Sequence, residues 1–216
     1  MRPQTDQLIT AYLRKCPALK PCEDDLHAAI GVLAEAFRRG NKLMICGNGR
    51  SAADSDHIAG ELVKAFAMDR PLSPQMGDRI RALHVGPDPA VLFGLQRGLP
   101  AISLVGNGAL VSAIANDQGQ ELVFAQQVMG LGTRGDVLMG ITTSGSSRNV
   151  LRGFQVARIM EVTSILLTGD RAPTSCKDLA DIAICVPASA TADVQELHLP
   201  AYHLICSAVE SEMFAQ

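Results

Sequence analysis

The chain contains no tryptophan, and only two tyrosines and six phenylalanines among 216 residues. Its interior must therefore be filled by aliphatic rather than aromatic side chains. It also lacks any uninterrupted apolar run of about 18 residues, which excludes an ordinary membrane-spanning helix. The N-terminal stretch MRPQTDQLITAYLRKC has none of the apolar core of a secretory leader. Positive charge is neither abundant nor clustered: 19 Lys and Arg stand against 22 Asp and Glu, for a formal net charge of −3. That excludes a non-specific nucleic-acid binder, which needs a basic face. The six cysteines form no CxxC pair, and several lie in apolar runs such as LMIC and IAIC. They read as reduced core thiols of a cytoplasmic protein, not as a disulfide framework or a structural zinc site.

Hydrophobic residues make up 47% of the chain and charged residues 19%, enough for one sizeable core. Five short apolar runs read as strands: KLMIC (42–46), PAISLVG (100–106), DVLMGIT (136–142), VTSILLTG (162–169) and DIAICVP (181–187). Runs apolar on both faces are what central parallel strands require. Helical patterns fill the intervals at about 51–68, 109–131, 146–160 and 175–180. Two more precede the first strand, at about 4–15 and 24–39, and a long one closes the chain at about 192–213. Strands regularly separated by helices predict an α/β fold with a doubly wound, five-stranded parallel sheet. Residues 70–99 break the rhythm with four prolines and predict an excursion of short helices and loops.

Three turns that follow strands are rich in Gly, Ser, Thr and Asn: GNGRSAAD (47–54), GNGALVSAIAND (106–117) and TTSGSSRN (142–149). In an open parallel sheet such turns border the ligand crevice, and the helix N-termini there favour anions. TTSGSS gathers several hydroxyls around one glycine, a phosphate cradle without a cation. The plain alternative is helix N-capping by Ser146 or Ser147. GNGRSA matches neither GxxxxGK[ST] nor GxGxxG, so a nucleotide loop has no motif support. His57 and Glu61, four residues apart, share one helix face; such a pair is either a surface contact or half of a metal site. The C-terminal segment supplies Gln195, His198 and His203. The two histidines lie about 140° apart on a helix of 3.6 residues per turn, so only one of them can face a common site. Imidazole, carboxylate and amide donors together suit a divalent metal such as zinc.

Taken together, these residues resemble the sugar isomerase (SIS) domain family, and within it the phosphoheptose isomerases. The matching blocks are CGNG–SAAD–H–E (46–61), LPAISL (99–104), AIAND (113–117), VFAQQV (123–128), GDVLMGITTSGSSRNV (135–150) and VQELHLPAYH (194–203). The resemblance implies one SIS domain over 1–216, with the excursion inserted at about 70–99. It implies an aldose–ketose isomerase for a long-chain sugar phosphate, working by enediol proton transfer on sedoheptulose 7-phosphate. Carried over residue by residue, it assigns zinc to His57, Glu61, Gln195 and His203. It assigns acid–base catalysis to Glu61 and His203. Substrate contacts fall on Asn48, Gly49, Ser51, Asn116 and Asp117, and phosphate on Thr142, Thr143, Ser144 and Ser147; Arg50 and Gln195 join the expected substrate contacts from this chain's own residues. It further implies a homotetramer with active sites across subunits; the loop motifs, charge and hydropathy above predict no nucleotide cofactor, and neither nucleic acid nor membrane as partner.

The chain departs from the family pattern at three places, one of them Thr142, where serine is usual and the hydroxyl is kept. Arg50 stands where the loop usually carries glycine, and Ala65 where an arginine is usual. Arg50 is accordingly expected to supply the missing charge from the loop, with Lys64 as the weaker candidate. Arg50 and the excursion also suit a different sugar, an octulose 8-phosphate. A catalytically silent, sugar-phosphate-binding or partner-binding SIS module is the other class of reading, and such relatives typically lose the residues that are all present here.

Overall fold

The five apolar runs become five short parallel strands in the computed structural model, which describes residues 1–215. They are β1 (Leu43–Gly47), β2 (Ala101–Ser103), β3 (Val137–Ile141), β4 (Thr163–Gly169) and β5 (Ile182–Val186), in the spatial order β2-β1-β3-β4-β5. All four pairings are parallel. The helices that cover the sheet are α1 (Pro3–Lys15), α2 (Glu23–Arg38), α3 (Arg50–Val63), α4 (Pro74–Arg81), α5 (Gly108–Asp117), α6 (Val123–Leu131), α7 (Arg148–Ile159), α8 (Thr174–Lys177) and α9 (Thr191–Phe214). Alternation along each strand divides the core in two. Leu43, Ile45, Val137, Met139, Ile165 and Leu167 point towards α1, α2, α3 and α9. Met44, Cys46, Leu138 and Leu166 point towards α5, α6, α7 and α8. Burying an aliphatic side chain of this size contributes about 1.5–3 kcal/mol, so both layers are held by aliphatic packing, as the scarcity of aromatics requires.

The strand order reverses between β1 and β3, and a doubly wound sheet binds its ligand at the carboxyl ends of the strands flanking that point. The two loops there are the Gly-rich and Ser-rich turns at 47–49 and 142–147. Among the described residues no helix is long and apolar enough to cross a membrane.

Four helix boundaries differ from the sequence expectation, one of them that of the short helix expected over 175–180, which ends at Lys177. The helix expected over 51–68 stops at Val63, because the buried Glu210 carboxylate takes the backbone N–H groups of Phe66, Ala67 and Met68 at 2.7–3.1 Å and turns the chain aside. The helix expected over 109–131 divides at Gly119, whose φ of +101° is left-handed. The helix expected from 146 begins at Arg148, after Gly145. The excursion holds α4 and a 3-10 turn over Pro89–Gly94, closed at its neck by a Pro71–Gln96 bridge.

Candidate active site

Glycine shapes the first loop. Gly49 has φ +59°, a left-handed conformation that lets the chain turn sharply into α3. A Cβ on Gly47 would fall 2.7 Å from the Ser51 Cβ, so β1 and α3 meet only because residue 47 has no side chain. Asn48 then clasps Asn149: each amide donates to the other's carbonyl, at 2.8 and 2.9 Å. This reciprocal pair ties the loop after β1 to the first turn of α7, across the switch point of the sheet.

The hydroxyl-rich turn is organised around itself. Thr142 Oγ1 lies 3.0 Å from Ser147 Oγ, and Ser144 Oγ lies 2.7 Å from Ser146 Oγ. Ser147 holds the N-cap position of α7, yet its hydroxyl makes no capping bond. Asn149 Oδ1 accepts the Val150 N–H at 3.0 Å instead. Simple capping by serine therefore does not account for this turn. A helix N-terminus whose cap hydroxyl is turned away carries unpaired N–H groups and a positive dipole end, both favourable to an anion. Asn48, Gln120, Glu121, Ser147, Arg148 and Asn149 line an adjoining cavity of about 330 Å³. Just upstream, Asn116 and Asp117 end α5, with the Asn116 amide donating to Asp117 at 2.8 Å.

The second cluster lies where α3 meets α9. His57 Nε2 stands 3.1 Å from Glu61 Oε1, and Lys64 Nζ lies 3.3 Å from Glu61 Oε2. The His203 ring faces His57 edge-on with centroids 5.2 Å apart, and the Phe66 ring packs on it at 5.2 Å. His203 Nε2 is buried without a hydrogen-bond partner. Burial holds the pKa of His203 below the usual histidine range, helped by His57 and opposed by Glu61. His203, and not His198, faces the cluster. Gln195 is half-buried on the same helix, eight residues or about 12 Å of rise before His203.

Among the described residues no three His, Cys, Asp or Glu side chains converge on one ion position. The donor chemistry nevertheless suits a divalent cation: two imidazoles and a carboxylate face one another, and one imidazole nitrogen is orphaned. The cation next to Glu61 is Lys64. Arg50 turns the other way, with Nε 3.7 Å from Asp54 Oδ1 one turn along α3, so it does not stand in for the arginine missing at 65.

Four residues of this neighbourhood escaped sequence reasoning: Asp54, Asn149, Tyr202 and Glu210. Tyr202 OH reaches both His57 Nδ1, at 3.0 Å, and Asp54 Oδ1, at 3.3 Å. The only sequence signal for it was a rare tyrosine next to His203.

His198 is fully buried and its ring nitrogens are unpartnered. Burial drives its pKa down to about 4, against an opposing pull from the nearby Thr168 backbone. A histidine kept neutral in the fold binds its proton only on unfolding, so stability falls as pH drops from 6.5 towards 4. The loss should approach about 3 kcal/mol below that window. Urea unfolding of His198→Asn across the same pH range should show a correspondingly flatter profile than the parent chain.

Residues 10–87 match the family model described as SIS domain, a match that fits the doubly wound sheet with its hydroxyl-lined turn at the switch point. Over 197 residues, 91% of this chain and 90% of the relative, the sequence is 35% identical to the phosphoheptose isomerase of Akkermansia muciniphila. It is 39% identical over 191 residues to that of Crocosphaera subtropica, covering 88% of this chain and 84% of the relative. The structure of phosphoheptose isomerase GmhA from Neisseria gonorrhoeae superposes with a TM-score of 0.71 at 28% identity, covering 95% of this chain and 98% of that one. The chain belongs to the phosphoheptose isomerase family.

Proposed function

We propose that this protein is a sugar-phosphate aldose–ketose isomerase that converts sedoheptulose 7-phosphate to D-glycero-D-manno-heptose 7-phosphate. The observation that carries the reading is the pairing, in a chain alignable with phosphoheptose isomerases over nine-tenths of its length, of an uncapped, hydroxyl-lined helix N-terminus with a Glu–His–His cluster. Thr142, Thr143, Ser144 and Ser147 would hold the phosphate. Asn48, Gly49, Arg50, Ser51, Asn116, Asp117 and Gln195 would line the sugar. Glu61 would take the proton α to the carbonyl and return it to the neighbouring carbon, while His203 moves protons on the two oxygens. Zinc, held by His57, Glu61, Gln195 and His203, would stabilise negative charge developing on the sugar oxygens.

The Asn48–Asn149 clasp sets the phosphate turn at the start of α3, whereas Glu61 stands near the end of that helix. The separation is about 16 Å of helix rise, eleven residues from Arg50 to Glu61. This supports active sites that combine the phosphate turn of one copy with the Glu61–His203 cluster of another, as a homotetramer would allow. All six cysteines are free, and burial pushes the thiols of Cys22, Cys46 and Cys206 up to about 11, 12 and 12. Such inert thiols suit a cytoplasmic enzyme.

The test is to incubate the purified protein with sedoheptulose 7-phosphate and, in parallel, an octulose 8-phosphate, following aldose formation and solvent deuterium uptake by NMR. Turnover of the heptulose with deuterium at the carbon next to the carbonyl is the expected result. Absence of both product and exchange, with zinc present, would overturn the reading.

A further inference from the structure

The rings and carboxylates between α3 and α9 form one connected chain. Arg50 Nε lies 3.7 Å from Asp54 Oδ1, Tyr202 OH lies 3.3 Å from the same oxygen, and His57 Nδ1 lies 3.0 Å from Tyr202 OH. His57 Nε2 ends the chain, 3.1 Å from Glu61 Oε1. Tyr202 and Asp54 are buried, with 1% and 4% exposure, so the link between them is shielded from water. A carboxylate only accepts hydrogen bonds, so the phenol proton belongs to Asp54. The phenol oxygen is then free to accept from His57, which places the imidazole proton on Nδ1. The Nε2 lone pair is left facing a carboxylate oxygen. Two acceptors at that distance need a proton or a cation between them.

Packing limits any other arrangement of the ring. Tyr202 and His203 both stand edge-on to His57, with centroids 5.5 and 5.2 Å away, and both belong to α9. Turning the imidazole over would break its bond to the phenol without offering a replacement.

We propose that Tyr202, anchored by Asp54 and steadied by Arg50, is a positioning residue that fixes the His57 ring with its Nε2 lone pair aimed at Glu61. The value of this arrangement to catalysis rests on the isomerase reading above; the ring orientation itself does not. The role also accounts for Arg50, which holds the carboxylate of the chain in place.

Long-range ¹H–¹⁵N NMR of the histidine rings in the metal-free protein tests the orientation, with His57→Gln identifying the signal. Nδ1 should carry a proton in the parent chain, donated to the Tyr202 oxygen, whether or not a further proton bridges Nε2 and Glu61. Tyr202→Phe should release the Nδ1 proton to the mixture seen for a free imidazole, and Arg50→Gly should shift it less and in the same direction. Asp54→Asn keeps the shape but offers an N–H to the phenol, turning the hydroxyl towards His57 and moving the imidazole proton to Nε2. Zinc affinity, read by competition with a chelator, should fall about 10- to 100-fold in Tyr202→Phe. kcat on sedoheptulose 7-phosphate should fall with KM little changed. A parent His57 with no proton on Nδ1, or a His57 signal and zinc affinity untouched by both Tyr202→Phe and Asp54→Asn, would overturn the proposal. A parent chain that binds no zinc and turns over no heptulose phosphate, yet shows the expected shifts, would overturn the isomerase reading and leave the role of Tyr202 standing.

Discussion

Glu61→Gln should lower kcat on sedoheptulose 7-phosphate by about 10²–10⁴-fold, the usual contribution of a positioned general base. That range corresponds to about 3–5.5 kcal/mol of transition-state stabilisation. The substitution keeps the shape of a side chain that is only 13% exposed, so the α3–α9 contact should survive it. What disappears is the group able to accept the carbon-bound proton, and with it the one carboxylate among the proposed zinc donors, so zinc content is measured alongside kcat. KM should change far less than kcat, since the lost interaction is made in the transition state and not with the bound sugar. Solvent deuterium exchange should fall in parallel with turnover. Lys64→Met, which removes the exposed cation 3.3 Å from the same carboxylate, should cost much less. A Glu61→Gln enzyme with kcat within about threefold of the parent would remove Glu61 from the proton-transfer role.

The parts of this protein that local rules govern were legible before any coordinates. Apart from Gly47, one residue past the end of the first run, each strand lies inside an apolar run picked out for being apolar on both faces, because a parallel sheet covered on both sides demands that composition. His57 and Glu61 were recognisable because a four-residue spacing alone puts two side chains on one helix face. His198 and His203 could be divided by helix geometry but not assigned, since nothing local says which face meets α3. What escaped notice depends on contacts between distant segments. Tyr202 lies in an apolar helix and reads as core; its meaning comes from Asp54, 148 residues earlier. Glu210 is one of several acidic residues near the C-terminus until Arg70 and the 66–68 backbone are placed against it. Arg50 was expected to compensate for Ala65, a reading based on position in a pattern. In three dimensions the nearest carboxylate decides, and that is Asp54, one turn away.

Glu210→Ala should destabilise the protein by about 3–5 kcal/mol, the cost of removing one partner of a buried ion pair. Glu210 and Arg70 are both fully buried, 2.6 Å apart. The same carboxylate takes the N–H groups of Phe66, Ala67 and Met68, each of which would lose its partner at about 1–3 kcal/mol where water cannot replace it. In a domain of this size the lower estimate alone corresponds to a fall in Tm of about 6–12 °C. The double variant Arg70→Met/Glu210→Leu separates the two contributions. Removing both charges should recover the ion-pair part, since a buried pair replaced by apolar groups is often neutral. The three N–H groups should stay unsatisfied and the Leu62 and Glu61 carbonyls should lose the Arg70 donor, leaving the double variant less stable than the parent but more stable than Glu210→Ala. The loss should also reach the active site. Arg70 donates to the carbonyls of Leu62 and Glu61 at 2.6 and 3.2 Å, and Phe66 packs on His203. A Glu210→Ala protein that keeps the parent Tm would show that water, and not the carboxylate, can satisfy the turn that ends α3.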